Sequence, residues 1–210
     1  MIQAIQEAIR QLSTADSIFI RRLTPQSWGD YDTCRQVFCS IFKYVDQTIT
    51  HYEFLPEYEE IVQWMTDTEG KGLLLMGSCG RGKSIILQGV IPVLMKMKGI
   101  NARPVHAQSF YFPPQFSTGN WACSSCFEYL LRCAVPVIDE LGVEGLHNEY
   151  GEKSEGFNLI INAAEMTCKP MFVSTNLSAD EIINRYGECT LDRLGHLCRI
   201  VTFNGESLRK

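Results

Sequence analysis

Gly77-Ser78-Cys79-Gly80-Arg81-Gly82-Lys83-Ser84 fits the pattern G-x-x-x-x-G-K-[ST]. Gly77, Gly80 and Gly82 allow a backbone to wrap closely around phosphates with its N–H groups pointing inward, and a helix N-terminus behind the loop adds positive potential. Lys83 then reaches the terminal phosphates and the Ser84 hydroxyl holds Mg²⁺, so ATP and Mg²⁺ are the expected ligands. Ser78, Cys79 and Arg81 fill the remaining loop positions, and Cys79 reads as a passive member. Downstream, the apolar run Val135-Pro136-Val137-Ile138 ends in Asp139-Glu140. Asp139 is suited to hold Mg²⁺ and Glu140 to accept a proton from, or orient, an attacking water. A solvated strand end is the alternative, but carboxylates beside an apolar core are costly without a cation to meet. The paired acids favour hydrolysis over phosphoryl transfer to a metabolite. Asn176 follows the apolar run Met171–Ser174, where its amide can reach a γ-phosphate or the water; an asparagine before Ser178 and Glu181 is equally a turn or a helix cap.

These residues need strands that end at them and a helix that starts among them. Leu73–Met76 reads as a buried strand before the loop and Lys83–Met97 as the helix after it. Further strands are predicted at Arg103–Ala107, Val135–Ile138, Met171–Ser174 and Ile200–Phe203, with helix-compatible sequence between them. Val135–Ile138 is expected as a second core strand beside the loop. Short apolar strands with helical crossovers imply an α/β fold, a P-loop domain with a parallel sheet covered on both faces. Three amphipathic stretches precede it, at 2–12, 37–45 and 56–65, the last with Pro56 at a first helical position. The predicted organisation is a helical N-terminal region over 1–69 and an ATPase core over 70–210.

At 210 residues with a net charge of -5, the chain has the length for one main core and lacks the cationic surface of a general nucleic-acid binder. Nine cysteines are an odd number in a chain too large to need stapling, and the first ten residues contain no secretory apolar run. A reducing cytosol, with no membrane span, is the expected setting. Cys123 and Cys126 have the spacing of a zinc half-site, with Cys133 and His106 as imaginable completions, but no second pair stands at a family spacing.

Taken in order, Gly77–Ser84, Val137-Ile138-Asp139-Glu140-Leu141-Gly142, Ser174-Thr175-Asn176-Leu177-Ser178, Arg185-Tyr186-Gly187-Glu188 and Leu191-Asp192-Arg193-Leu194 resemble an AAA+ ATPase of the DnaC and IstB type, the helicase loaders and transposition helper ATPases. Phe203–Arg209 is similar to the closing motif of that family. The resemblance runs from about Gly70 to Lys210 and implies a five-stranded parallel sheet. It also implies ATP-dependent self-assembly in which an arginine of one subunit completes the neighbour's site, a role that falls to Arg193. Arg209 takes the place of a phosphate-reading sensor; for both arginines a surface ion pair is the alternative. Members commonly carry another arginine after the Gly-Glu pair, where this chain has Cys189. The implied partners are a replicative helicase or a transposase, with single-stranded DNA as a further contact. Phe110, Tyr111, Phe112, Phe116 and Trp121 lie where such proteins face single-stranded DNA, but no Lys or Arg stands between Ser109 and Cys126, which favours packing against the core. A nucleotide-switched binding module with little turnover is the reading from another class.

Overall fold

The apolar run after Gly70 forms β1 (Gly72–Gly77), flanked on one side by β6 (Phe172–Thr175) and on the other by β7 (Cys198–Phe203). In this computed structural model, which describes residues 24–47, 53–112, 125–149 and 152–208, the sheet has five strands in the order β2-β3-β6-β1-β7. β2 is Pro104–His106 and β3 is Val137–Leu141, and every neighbouring pair is parallel. β6 therefore stands between β3 and β1, so the strand bearing the acidic pair is one place removed from the strand entering the loop.

Parallel strands need crossovers, and the helices supply them on both faces. On one face lie α1 (Tyr31–Val45), α2 (Pro56–Thr66) and α3 (83–97), which bury Phe38, Phe42, Trp64, Ile86 and Leu87 against Leu73, Leu75 and Phe203. On the other face lie α4 (Cys126–Arg132), α5 (Gly156–Met166), α6 (Ala179–Tyr186) and α7 (Glu188–Leu197), packed on Leu74, Ile138 and Val173. α1 and α2 thus share a core with the sheet. A short antiparallel pair, β4 (His147–Glu149) and β5 (Glu152–Ser154), stands apart from it.

Local chemistry explains the element ends. Asp30 caps α1 by accepting from the Thr33 N–H at 2.9 Å, and Pro56 opens α2 at a position where no N–H is needed. Ser178 and Glu181 form a reciprocal capping box at α6. α3 is not one uniform helix: Lys83–Ile85 and Ile91–Met97 are α-helical, and Ile86–Val90 between them is a π-helical stretch. Pro92 lacks an N–H and its ring would press on the carbonyl four residues back, and the wider π turn relieves that clash.

The expected strand at Val135–Ile138 lies two residues too early. Pro136 contributes its carbonyl to Phe172 N–H at 2.9 Å, but the ladder continues through the carboxylates to Leu141. Its register with β6 shifts between Ile138 and Leu141, where Glu140 adopts φ 63°. The stretch at 2–12, Phe116, Trp121, Cys123 and Arg209 lie outside the described residues.

Candidate nucleotide-binding site

The glycine loop leaves β1 at Gly77 and enters α3 at Lys83, and its three glycines all have positive φ: 117° at Gly77, 75° at Gly80 and 89° at Gly82. Side chains would also lack room. A Cβ on Gly77 would fall 2.3 Å from the Phe203 carbonyl oxygen, and one on Gly82 would fall 2.6 Å from the Tyr58 hydroxyl. That hydroxyl donates to the Arg81 carbonyl at 3.2 Å, and burial pushes its pKa well above the ordinary phenol range. It therefore stays a protonated donor that seats the loop on α2.

Lys83 is buried, and its ammonium donates to the carbonyls of Gly77 and Ser78 at 2.7 Å each and to Asn176 Oδ1 at 2.9 Å. β6 delivers Asn176 to this point because it runs parallel to β1 and ends beside it, with Met76 opposite Thr175. The cap of α6 is Ser178, so the Asn176 amide is left to face the lysine.

Asp139 is 2% exposed, a burial that demands partners for its charge. It has them: Ser84 Oγ donates to Oδ1 at 3.2 Å, Ser174 Oγ to the same oxygen at 2.5 Å, and Gln88 Nε2 to Oδ2 at 2.6 Å. The Ser84 hydroxyl and the Asp139 carboxylate, an oxygen pair at the base of the loop, have the hard-donor chemistry that Mg²⁺ takes. Glu140 diverges from its neighbour through the irregular backbone and stays partly exposed, with its N–H donating to Ser174 Oγ at 2.9 Å. Its Oε2 lies 2.7 Å from His106 Nε2. The His106 Nδ1 accepts from the Gln108 N–H at 3.3 Å, which places the ring proton on Nε2 and makes the histidine the donor to Glu140.

The loop, Lys83, Ser84, Asp139, Glu140 and Asn176 are thus gathered at the C-terminal ends of β1, β3 and β6. Two of the loop's side chains are elsewhere. Cys79 is exposed, and the Arg81 guanidinium turns to Glu57 on α2, so it is the backbone of Arg81 that remains with the cradle. Arg193 is not among the gathered residues: from α7 its Nε donates to Glu165 Oε2 on α5 at 2.5 Å.

The sequence does not mark His106, Ser174 or Gln88 for these contacts with equal clarity. Gln88 carried a signal, since it stands one helical turn after Ser84 and shares its face. Ser174 and His106 carried none, because they meet the acids only through strand order: β2 pairs with β3 so that His106 lies opposite Asp139. Phe110 and Cys126 are buried in the core, whereas Phe112 is exposed.

Arg185 closes the far side. It donates to the carbonyls of Gly142 and Glu144 and to Glu155, and the Tyr186 hydroxyl donates to the buried Glu144 carboxylate, whose other oxygen accepts from Gly142 N–H at 2.8 Å. Burial first, and then that bond to Glu144, hold the Tyr186 pKa far above the phenol range. The segment after the acidic pair is thereby fastened to α6.

A five-stranded parallel sheet with helices on both faces and a glycine loop between β1 and α3 define a P-loop type of α/β fold. In particular, the chain has the fold of two crystal structures, DnaI and the DnaC helicase loader. The first aligns with a TM-score of 0.56 at 15% identity, over 79% of this chain and 94% of that one. The second aligns with a TM-score of 0.55 at 16% identity, over 81% and 99%. The uncharacterized protein YqaM of Bacillus subtilis (strain 168) is 23% identical over 167 residues, or 75% of this chain, and the chain spans about half (51%) of that relative's length. No family model matches. Among the described residues no helix is long and apolar enough to cross a membrane.

Proposed function

We propose that this chain is a Mg²⁺-dependent ATPase of the helicase-loader kind, which uses ATP to assemble with copies of itself and to remodel a replicative helicase on DNA. The observation that carries the reading is the convergence at Asp139. The hydroxyl that follows the loop lysine, Ser84, stands 3.2 Å from a buried carboxylate delivered by another strand. The loop N–H groups and Lys83 bind the phosphates, and Asn176, already on Lys83, reads the terminal one. Ser84 and Asp139 would hold Mg²⁺, which neutralises charge on the phosphates when bound. Glu140 takes the proton of the attacking water, and Arg193 acts on the site of a neighbouring subunit. A helicase partner is favoured by the likeness to the DnaC helicase loader; a transposase helper shares every motif and differs in its partner.

A nucleotide-switched binding module is the second reading, and one contact favours it: His106 occupies the carboxylate that should meet the water. ATP hydrolysis measured over a range of protein concentrations, with and without single-stranded DNA, separates the two. The ATPase reading expects turnover that rises with concentration or DNA and is lost, by roughly two orders of magnitude or more, in Glu140→Gln and Arg193→Ala. Tight ATP binding with turnover no higher than in those variants would establish the switch instead.

A further inference from the structure

Arg81 is a charged residue inside a phosphate-binding loop, yet its guanidinium is buried and turned away into a three-way joint. Its Nε and Nη2 donate to Glu57 Oε1 at 2.9 and 2.8 Å, and its Nη1 donates to the Glu206 carbonyl at 3.2 Å. The same Glu57 oxygen accepts from Asn204 N–H at 3.1 Å. Two backbone contacts run alongside: Leu208 N–H donates to the Gly80 carbonyl at 3.0 Å, and the Tyr58 hydroxyl donates to the Arg81 carbonyl. One helix from before the sheet, one turn from after it and the loop itself are thus held through a single carboxylate oxygen.

The joint is poorly designed for stability alone. Glu57 and Arg81 side chains are 7% and 10% exposed, and a buried ion pair recovers little beyond its desolvation cost unless every polar atom is satisfied. Among the described residues, Glu57 Oε2 is buried without a hydrogen-bond partner. What the pair does fix is geometry. Arg81 lies between Gly80 and Gly82, both at positive φ, a backbone that glycine leaves free to move unless something outside the loop holds it.

We propose that Glu57 is a positioning residue for nucleotide binding: through Arg81 it sets the backbone of Gly80–Gly82 in its phosphate-binding form, and so couples α2 and the turn at 204–208 to the nucleotide. The proposal rests on reading residues 77–84 as an ATP site. Coupling is reciprocal, so a bound nucleotide must in turn tighten α2.

The test compares MgATP affinity, thermal midpoint and amide hydrogen exchange in wild type, Glu57→Gln and the Glu57→Met/Arg81→Met double variant. Glu57→Gln is expected to weaken MgATP binding about tenfold, in the range of ordinary coupling energies. The double variant, which replaces a buried pair with apolar side chains, is expected to regain the midpoint but not the affinity. MgATP should slow exchange over residues 56–66 in wild type and not in either variant. Wild-type affinity in Glu57→Gln, or a double variant that regains midpoint and affinity together, makes the pair a core filler and overturns the proposal. Should Glu57→Gln fail to fold, the double variant alone decides. A wild type that binds MgATP while Glu57→Gln binds it equally overturns the coupling only; a wild type that binds none overturns the ATP-site reading and the coupling with it.

Discussion

At the scale of single residues, the site is a set of hydrogen bonds that a nucleotide bound as proposed would have to exchange. The Lys83 ammonium already spends its donors on two loop carbonyls and Asn176, and the Glu140 carboxylate already takes a bond from His106. The second is the more consequential, because a carboxylate oxygen that accepts from His106 is held off the water it is proposed to meet. A hydrogen bond to a charged group contributes roughly 1.5–3 kcal/mol when shielded. His106 and Glu140 side chains are 36% and 44% exposed, so solvent screening brings the contribution to about 1 kcal/mol or less. Releasing it corresponds to about a fivefold change in rate at most. His106→Ala is therefore expected to raise basal ATP turnover about two- to fivefold, measured without DNA or partner. A fall below wild type would show instead that His106 holds Glu140 in its working position.

At the scale of elements, α3 carries Ser84 and Gln88 to Asp139 and lets α1 lie against its π-helical turn, where Gly89 meets Val45. A Cβ on Gly89 would fall 2.3 Å from Val45 Cγ1 and 3.0 Å from its Cβ. Two effects oppose each other in Gly89→Ala. Helix propensity favours alanine by about 1 kcal/mol. Overpacking costs about 1–3 kcal/mol, and a β-branched neighbour has few rotamers through which to escape. Overpacking should win, lowering the thermal midpoint by about 2–4 °C per kcal/mol of net loss for a chain of this size. Adding Val45→Ala in the same chain should return most of the loss; a Gly89→Ala chain more stable than wild type would refute the close packing. α3 also shows where the sequence was legible. Its start at Lys83 and end at Met97 could be read from the glycine loop and the apolar spacing, whereas the π turn arises from Pro92 acting on a helix held between two neighbours. β3 is similar. The apolar residues announced a strand, but Asp139 and Glu140 looked like its end, because nothing local says that a buried carboxylate will be met by Ser84, Gln88 and Ser174. Motif residues were readable because phosphate chemistry prescribes their spacing. His106, Ser174 and Glu57 were not, because strand order and tertiary packing bring them to the site across 34, 35 and 24 residues of chain.

At the scale of the whole molecule, Arg193 joins Glu165 at the surface, where His196 Nδ1 also lies 3.7 Å from that carboxylate. Both Arg193 and Glu165 side chains are 34% exposed, and a pair so open to solvent contributes only about 0–1 kcal/mol. If Arg193 acts on a neighbour's site as proposed, the phosphate charge developing there easily exceeds that, and the ion pair is a resting place from which the arginine is released at little cost. On the proposed function each subunit has two faces, and each variant is defective at one of them. Glu140→Gln spoils the subunit's own site but leaves its arginine to serve a neighbour, and Arg193→Ala does the reverse. Each variant alone should be nearly inactive. In an equal mixture, a working site needs an Arg193→Ala subunit next to a Glu140→Gln subunit in the correct order, which random association provides for roughly a quarter of all sites. The mixture is therefore expected to recover about a quarter of wild-type turnover per subunit, rising with total concentration as assembly saturates. A mixture no more active than its components, under conditions where wild type assembles and turns over, would place the work of Arg193 within its own subunit or in the ion pair with Glu165.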